Sequence, residues 1–150
     1  MIKITSRYEV ELISIEEKDA LMSKYAERLL YEERADIYGC CIKLLTDIKY
    51  VKERWEENFY PMSAHVHSHG RMLVTNEDNG KQRVLYDPLS KTAFLINIDY
   101  YGWIKSLALS IASDILEDSH GIDSVHGACV DIDGKGVCLI APSGLSLIHI

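Results

Sequence analysis

Ser124-Val125-His126-Gly127-Ala128-Cys129-Val130-Asp131-Ile132-Asp133-Gly134-Lys135-Gly136-Val137-Cys138-Leu139-Ile140-Ala141-Pro142-Ser143-Gly144 is the stretch on which the fold turns. Residues 125–132 and 137–140 are predicted as two strands. Asp133-Gly134 joins them, a dipeptide that readily takes the positive φ angles of a two-residue hairpin turn. That turn sets Cys129 opposite Cys138. A disulfide there is conceivable, but a reducing compartment argues against it. The second strand empties into Ala141-Pro142-Ser143-Gly144. An apolar strand followed by a sharp turn of small residues is how a phosphate-binding loop begins, because successive backbone N–H groups must point inward at the anion. A complete loop continues with a further Gly, a Lys and a Ser or Thr. Taken alone, a strand running into Pro-Ser-Gly is more often the start of a plain loop.

Upstream of this stretch the chain alternates between helical and strand-like patterns. Residues 3–13 are rich in β-branched and aromatic types and read as a strand. Ser14-Ile15-Glu16-Glu17 has the form of a capping box, with the Ser14 hydroxyl serving the Glu17 N–H and the Glu17 carboxylate reaching back. The helix it opens carries Leu21, Met22, Tyr25, Ala26, Leu29 and Leu30 at helical spacing and is expected to end near Arg34. Residues 37–45 fit either strand or helix. Thr46 or Asp47 is expected to cap a second helix bearing Tyr50, Val51 and Trp55, with Pro61 soon after it. Residues 71–75 and 82–86 flank Asn79-Gly80 and are expected to form a hairpin. Asp87-Pro88 marks another turn, and residues 92–98 a third strand. Trp103, Ile104, Leu107, Ala108, Ile111 and Ile115 then share one face of an amphipathic helix that Gly121 is placed to end.

Composition narrows the function classes. The 150 residues suffice for one domain with a substantial core, and 47% apolar with 26% charged residues is the balance of a soluble globular chain. No apolar run approaches the length needed to cross a bilayer, and the amino terminus lacks a signal-peptide layout, so a cytoplasmic location is expected. A net charge of −7 argues against general binding of nucleic acid or anionic membrane. The four cysteines, Cys40, Cys41, Cys129 and Cys138, have no zinc spacing and are expected as small buried hydrophobes.

His65, His67 and His69 alternate and would share one face of a strand. The outer pair would then lie about 13 Å apart, too far for all three to hold one ion, so an exposed segment without metal is the expectation. His120, after Asp118-Ser119, fits a helix carboxyl end, where an imidazolium meets the dipole favourably. Asp131 on the first hairpin strand is read as structural.

His126-Gly127, Val130-Asp131-Ile132, Gly134, Gly136-Val137, Leu139-Ile140 and Ser143-Gly144 resemble, in order and spacing, the active-site entry of HPr kinase/phosphorylase. The segment is also similar to that of related P-loop kinases in the phosphoenolpyruvate carboxykinase-like fold group. The match covers about twenty residues. Ala141 departs from it, standing where the family usually has the first Gly of the loop, and the amino-terminal region does not resemble the regulatory domain of bacterial HPr kinases. The resemblance implies an α+β or α/β fold in which amino-terminal helices and hairpins lead into the first strands of a P-loop domain. It implies His126 as a catalytic acid/base or orienting group, and Ala141, Pro142, Ser143 and Gly144 as nucleotide-binding residues. It implies ATP and Mg2+ as cofactors of the full-length protein, and a protein serine or a small hydroxylated metabolite as phosphate acceptor. Neither nucleic acid nor membrane is an expected partner, and a homo-oligomer is compatible with it.

The organisation expected on this basis is an amino-terminal α+β region over 1–121, the start of a P-loop kinase domain over 122–144, and a non-native tail over 145–150. Leu145-Ser146-Leu147-Ile148-His149-Ile150 does not continue the loop, and resembles one reading frame of a transposon-end adapter. The expectation is therefore a chain cut inside its own phosphate-binding loop, inactive as it stands. Two other classes fit the same residues: a nucleotide-binding sensor or scaffold without transfer, and a β-rich module that binds no nucleotide. Acidic residues beyond the loop discriminate the first from a kinase, and a genomic Gly-Lys-Ser after Gly144 would exclude the second.

Overall fold

A computed structural model of the chain describes residues 9–125 and 127–140. Of the strand expected over 3–13, residues 9–13 are described, and among them only Val10–Leu12 form strand, β1. Helix α1 (Ile15–Tyr25) follows and opens on the expected capping box. The Ser14 hydroxyl accepts from the Glu17 N–H at 3.2 Å, and the Ser14 N–H donates to the Glu17 carboxylate at 2.9 Å.

The helix does not run on to Arg34. After a single 3-10 turn (Ala26–Arg28) the chain becomes strand β2 (Tyr31–Ile37), antiparallel to β3 (Cys40–Thr46) in a register from Tyr31↔Thr46 to Ile37↔Cys40. Tyr38 and Gly39 take φ of 54° and 83° between them, the two positive angles of a tight hairpin turn. Pairing along seven residues outweighs the helical spacing of Leu29 and Leu30, and resolves the ambiguous 37–45 stretch as strand.

Helix α2 (Lys49–Asn58) starts without a side-chain cap. Thr46, one of the two expected capping residues, belongs to β3. Its hydroxyl donates to the Val74 carbonyl at 2.7 Å and accepts the Ile48 N–H at 3.1 Å. Strands β4 (Tyr60–Pro61), β5 (Gly70–Thr75), β6 (Arg83–Asp87) and β7 (Thr92–Ile96) complete one seven-stranded sheet, in the order β1-β6-β7-β5-β3-β2-β4. Its centre, β3-β5-β7, is parallel, while β6 runs antiparallel to β7 and parallel to β1.

The hairpin expected around Asn79-Gly80 is therefore not formed. Gly80 does adopt φ of 63°, but β7 lies between β5 and β6 and pairs with both. The hairpin actually present is β6–β7, turned at the expected Asp87-Pro88. There the Asp87 carboxylate accepts the Leu89 N–H at 3.0 Å and the Ser90 hydroxyl at 2.5 Å.

Both faces of the sheet are covered, so its central strands are apolar on both sides rather than alternating. On one face α1 sets Tyr25, Leu21 and Met22 against Leu73, Leu85, Phe94 and Ile96. On the other, α2 and helix α3 (Tyr101–His120) pack Val51, Trp55, Ile104, Leu107 and Ile111 against Ile42, Leu44, Met72, Val74 and Leu95. Gly121 ends α3 as expected, in the left-handed conformation with φ of 61°. Its N–H reaches the Glu117 carbonyl at 3.1 Å, while the Ile122 N–H reaches that of Leu116 at 3.2 Å. His120 is the last residue of this helix. Beyond it, β8 (Ala128–Ile132) and β9 (Lys135–Leu139) form a separate two-stranded antiparallel sheet. Among the described residues no helix is long and apolar enough to cross a membrane.

Candidate functional site

The β8–β9 hairpin is built as its sequence directs. Asp133 and Gly134 take φ of 52° and 77°, and the Asp131 carboxylate accepts the Gly134 N–H at 2.8 Å, which closes the turn. Asp131 thus has the structural role expected of it. The register runs from Ile132↔Lys135 through Cys129↔Cys138 to Ala128↔Leu139. Gly127 lies against the far end of β9. A Cβ placed on it would stand 2.9 Å from the Leu139 carbonyl oxygen and 3.3 Å from the Ile140 side chain, so the backbone can approach this closely only at a glycine. The hairpin therefore brings Gly127 beside Leu139 and Ile140, the last two described residues before Ala141 in the chain.

His126, Ala141, Pro142, Ser143 and Gly144, the residues expected to act on or bind the nucleotide, lie outside the described residues. So does the tail at 145–150.

A second concentration of polar groups, which the sequence did not single out, sits at the carboxyl ends of the parallel strands β3, β5 and β7. In open α/β sheets this edge is where ligands bind. The Thr75 hydroxyl donates to the Asp47 carboxylate at 3.0 Å, and the Arg28 guanidinium bridges Asp47 at 3.3 Å and the Asn76 carbonyl at 2.8 Å. Glu77 accepts from the Tyr25 hydroxyl at 2.7 Å, from Asn79 at 2.8 Å, and from the Lys24 ammonium. Its own N–H donates to the Asn97 side chain at 2.7 Å, and Asn97 holds φ of 58°. Lys24, then Tyr25 and Asn79, stabilise the charged form and hold the Glu77 carboxyl down at about 2. These groups satisfy one another, so the array ties α1 to the sheet edge. One oxygen of Asp47 is buried there with no hydrogen-bond partner. Its members lie up to 53 positions apart in the chain, beyond the reach of any local motif.

At the opposite end of the sheet Lys91 pairs with Asp114 at 2.8 Å and with Asp118, while the Tyr86 hydroxyl donates to Asp114. Burial first, and then the Asp114 carboxylate, push the Tyr86 phenol well above its ordinary range. This cluster fastens α3 to the β6–β7 hairpin.

The histidine row is not a strand. Residues 62–69 form turns and irregular chain, and the His69 Nδ1 accepts the Cys41 N–H at 2.8 Å, which occupies that imidazole in the fold. Among the described residues no group of three or more His, Cys, Asp or Glu side chains is arranged to hold a metal ion. The cysteines divide. Cys40 and Cys41 are buried as expected, whereas Cys129 and Cys138 are exposed, because the hairpin that carries them has neither face in the core.

Comparison with known proteins adds no relative: no family model, no curated protein and no solved structure matches the chain.

Proposed function

We propose that the segment from Ser124 to Gly144 is the entry to the nucleotide site of an ATP-dependent kinase similar to HPr kinase/phosphorylase, acting on a protein serine or a small hydroxylated metabolite. The observation that carries this reading is the hairpin register. It sets Gly127 of the His-Gly pair against Leu139 and Ile140, so the two halves of the motif, thirteen positions apart in sequence, meet at one end of the hairpin. The close approach at Gly127 also accounts for a glycine beside the histidine. The mixed sheet with helices on both faces is compatible with an α/β kinase and does not by itself select one.

In this reading the backbone N–H groups of Ala141 to Gly144 would help to hold the ATP phosphates, and magnesium, when bound, would neutralise the charge that develops during transfer. His126 takes or positions the proton of the acceptor hydroxyl. The test uses the protein at the length its genomic locus encodes. Calorimetric titration with ATP and magnesium should give saturable binding, and Gly144→Val, which places a branched side chain where the backbone must approach phosphate, should abolish it. Unchanged affinity in Gly144→Val, or no binding by the unaltered protein, would overturn the assignment.

A further inference from the structure

Cys129 and Cys138 face each other on an exposed hairpin, and both are free thiols. In a two-residue hairpin the pair flanking the turn, here Ile132↔Lys135, exchanges both backbone hydrogen bonds, and bonded and non-bonded pairs then alternate. Counting back three pairs makes Cys129↔Cys138 a non-bonded pair, whose Cα atoms approach to about 4.5 Å. That separation falls inside the range of about 4.4–6.8 Å that a disulfide spans. The two side chains share the hairpin face of Asp131 and Gly136. Gly136 leaves that face open, since a Cβ there would meet the Cys129 sulfur only at 3.8 Å.

We propose that Cys129 and Cys138 are a thiol–disulfide modification site, closed by a low-molecular-weight disulfide such as oxidised glutathione. One cysteine thiolate attacks a sulfur of the small disulfide, forming a mixed disulfide and releasing one small thiol. The second cysteine thiolate then attacks the protein sulfur of that mixed disulfide, forming the Cys129–Cys138 bond and releasing the second small thiol. The two protein thiols lose two electrons between them, the small disulfide gains two, and the two protons end on the released thiols. Cys40 and Cys41 take no part, because burial shields their sulfurs from the small disulfide. The cross-link would fasten the two arms two residues short of Gly127 and of Ile140. The proposal rests on the hairpin alone and stands whether or not the chain binds nucleotide.

The experiment incubates the folded, reduced chain with oxidised glutathione, traps free thiols with an alkylating agent and maps the peptides by mass spectrometry. The expected result is a Cys129–Cys138 cross-linked peptide that dithiothreitol reverses, with Cys40 and Cys41 alkylated only after denaturation. In Cys129→Ser the attack stops at the mixed disulfide, so glutathione held on Cys138 should exceed that of the unaltered chain by about tenfold or more, the advantage of a neighbouring thiol over a free one. Two outcomes would overturn the proposal: glutathione retained equally on Cys138 in both proteins, or no oxidation of either cysteine in the unaltered chain.

Discussion

Glu77 joins α1 to the sheet through one carboxylate, and its charge state makes a pH-dependent contribution to stability. Its pKa falls from the ordinary 4.5 to about 2 in the fold, with the Lys24 hydrogen bond the largest cause. A carboxyl depressed by folding stabilises the native state fully above its unfolded pKa. That contribution is lost as pH falls from about 4.5 through about 2. Thermal unfolding of Glu77→Gln should show a loss of about 1.5–3 kcal/mol at neutral pH, the scale of hydrogen bonds to a charged group. The gap between variant and parent should narrow as pH drops through that window, and a constant gap would assign the effect to packing. The proposed kinase reading sets a second expectation at this scale. In the protein of genomic length, His126→Ala should slow phosphoryl transfer by about two orders of magnitude while leaving nucleotide affinity largely intact, the usual scale of general acid/base help. Affinity falling with unchanged turnover of bound substrate would make His126 a binding residue instead. The two residues also differ in what sequence could say of them. The His126-Gly127 pair is local, whereas Tyr25 and Lys24, which tie Glu77 to α1, lie 52 and 53 positions away.

Among the elements, signals confined to a few consecutive residues were legible and signals depending on a neighbour's identity were not. The Ser14–Glu17 capping box, the Gly121 cap and the Asp133-Gly134 turn each close a ring of atoms within four residues or so, and each forms as expected. Asn79-Gly80 is the counterexample. Its turn chemistry is sound, with the Asn79 side chain accepting the Lys81 N–H at 2.8 Å, but which strands lie next to each other is decided by β7. The true hairpin turn at Tyr38-Gly39 was hidden by a bulky tyrosine at positive φ. Close packing of elements was equally invisible. Gly70 opens β5 directly beneath α3, and a Cβ there would stand 2.5 Å from Ile111 and 3.2 Å from both Ile115 and Ile42. Gly70→Ala should therefore cost about 1–3 kcal/mol by chemical denaturation, the penalty of overpacking a filled core. Combined with Ile111→Ala, its cost should be clearly less than the sum of the two single changes, since the second removes the atoms the first collides with. Simple additivity would place the strain in the Gly70 backbone rather than in the contact with α3.

At the scale of the whole molecule the chain divides where its burial does. The seven-stranded sheet is covered by α1 on one face and by α2 and α3 on the other, so its central amides at β3, β5 and β7 lie under a continuous apolar core. In β8 and β9 only Ala128 is even partly buried, and among the described residues the two strands pair only with each other. Val130, Ile132, Val137 and Leu139 are all exposed. An isolated two-stranded hairpin is marginal in water, because hydrogen bonds that solvent can replace contribute little without a buried face. Opening it breaks its own ladder and uncovers almost no core, so it should open independently of the sheet. In hydrogen exchange on the reduced chain, the bonded amides of β8 and β9 should be protected at least about a hundredfold less than those of β5 and β7. Denaturant should accelerate exchange in the central strands and leave the hairpin nearly unaffected, since exposed surface sets that slope. Hairpin amides as slow as those of β5, with the same denaturant dependence, would mean that β8–β9 belongs to the cooperative core and that its exposure misstates its energetics.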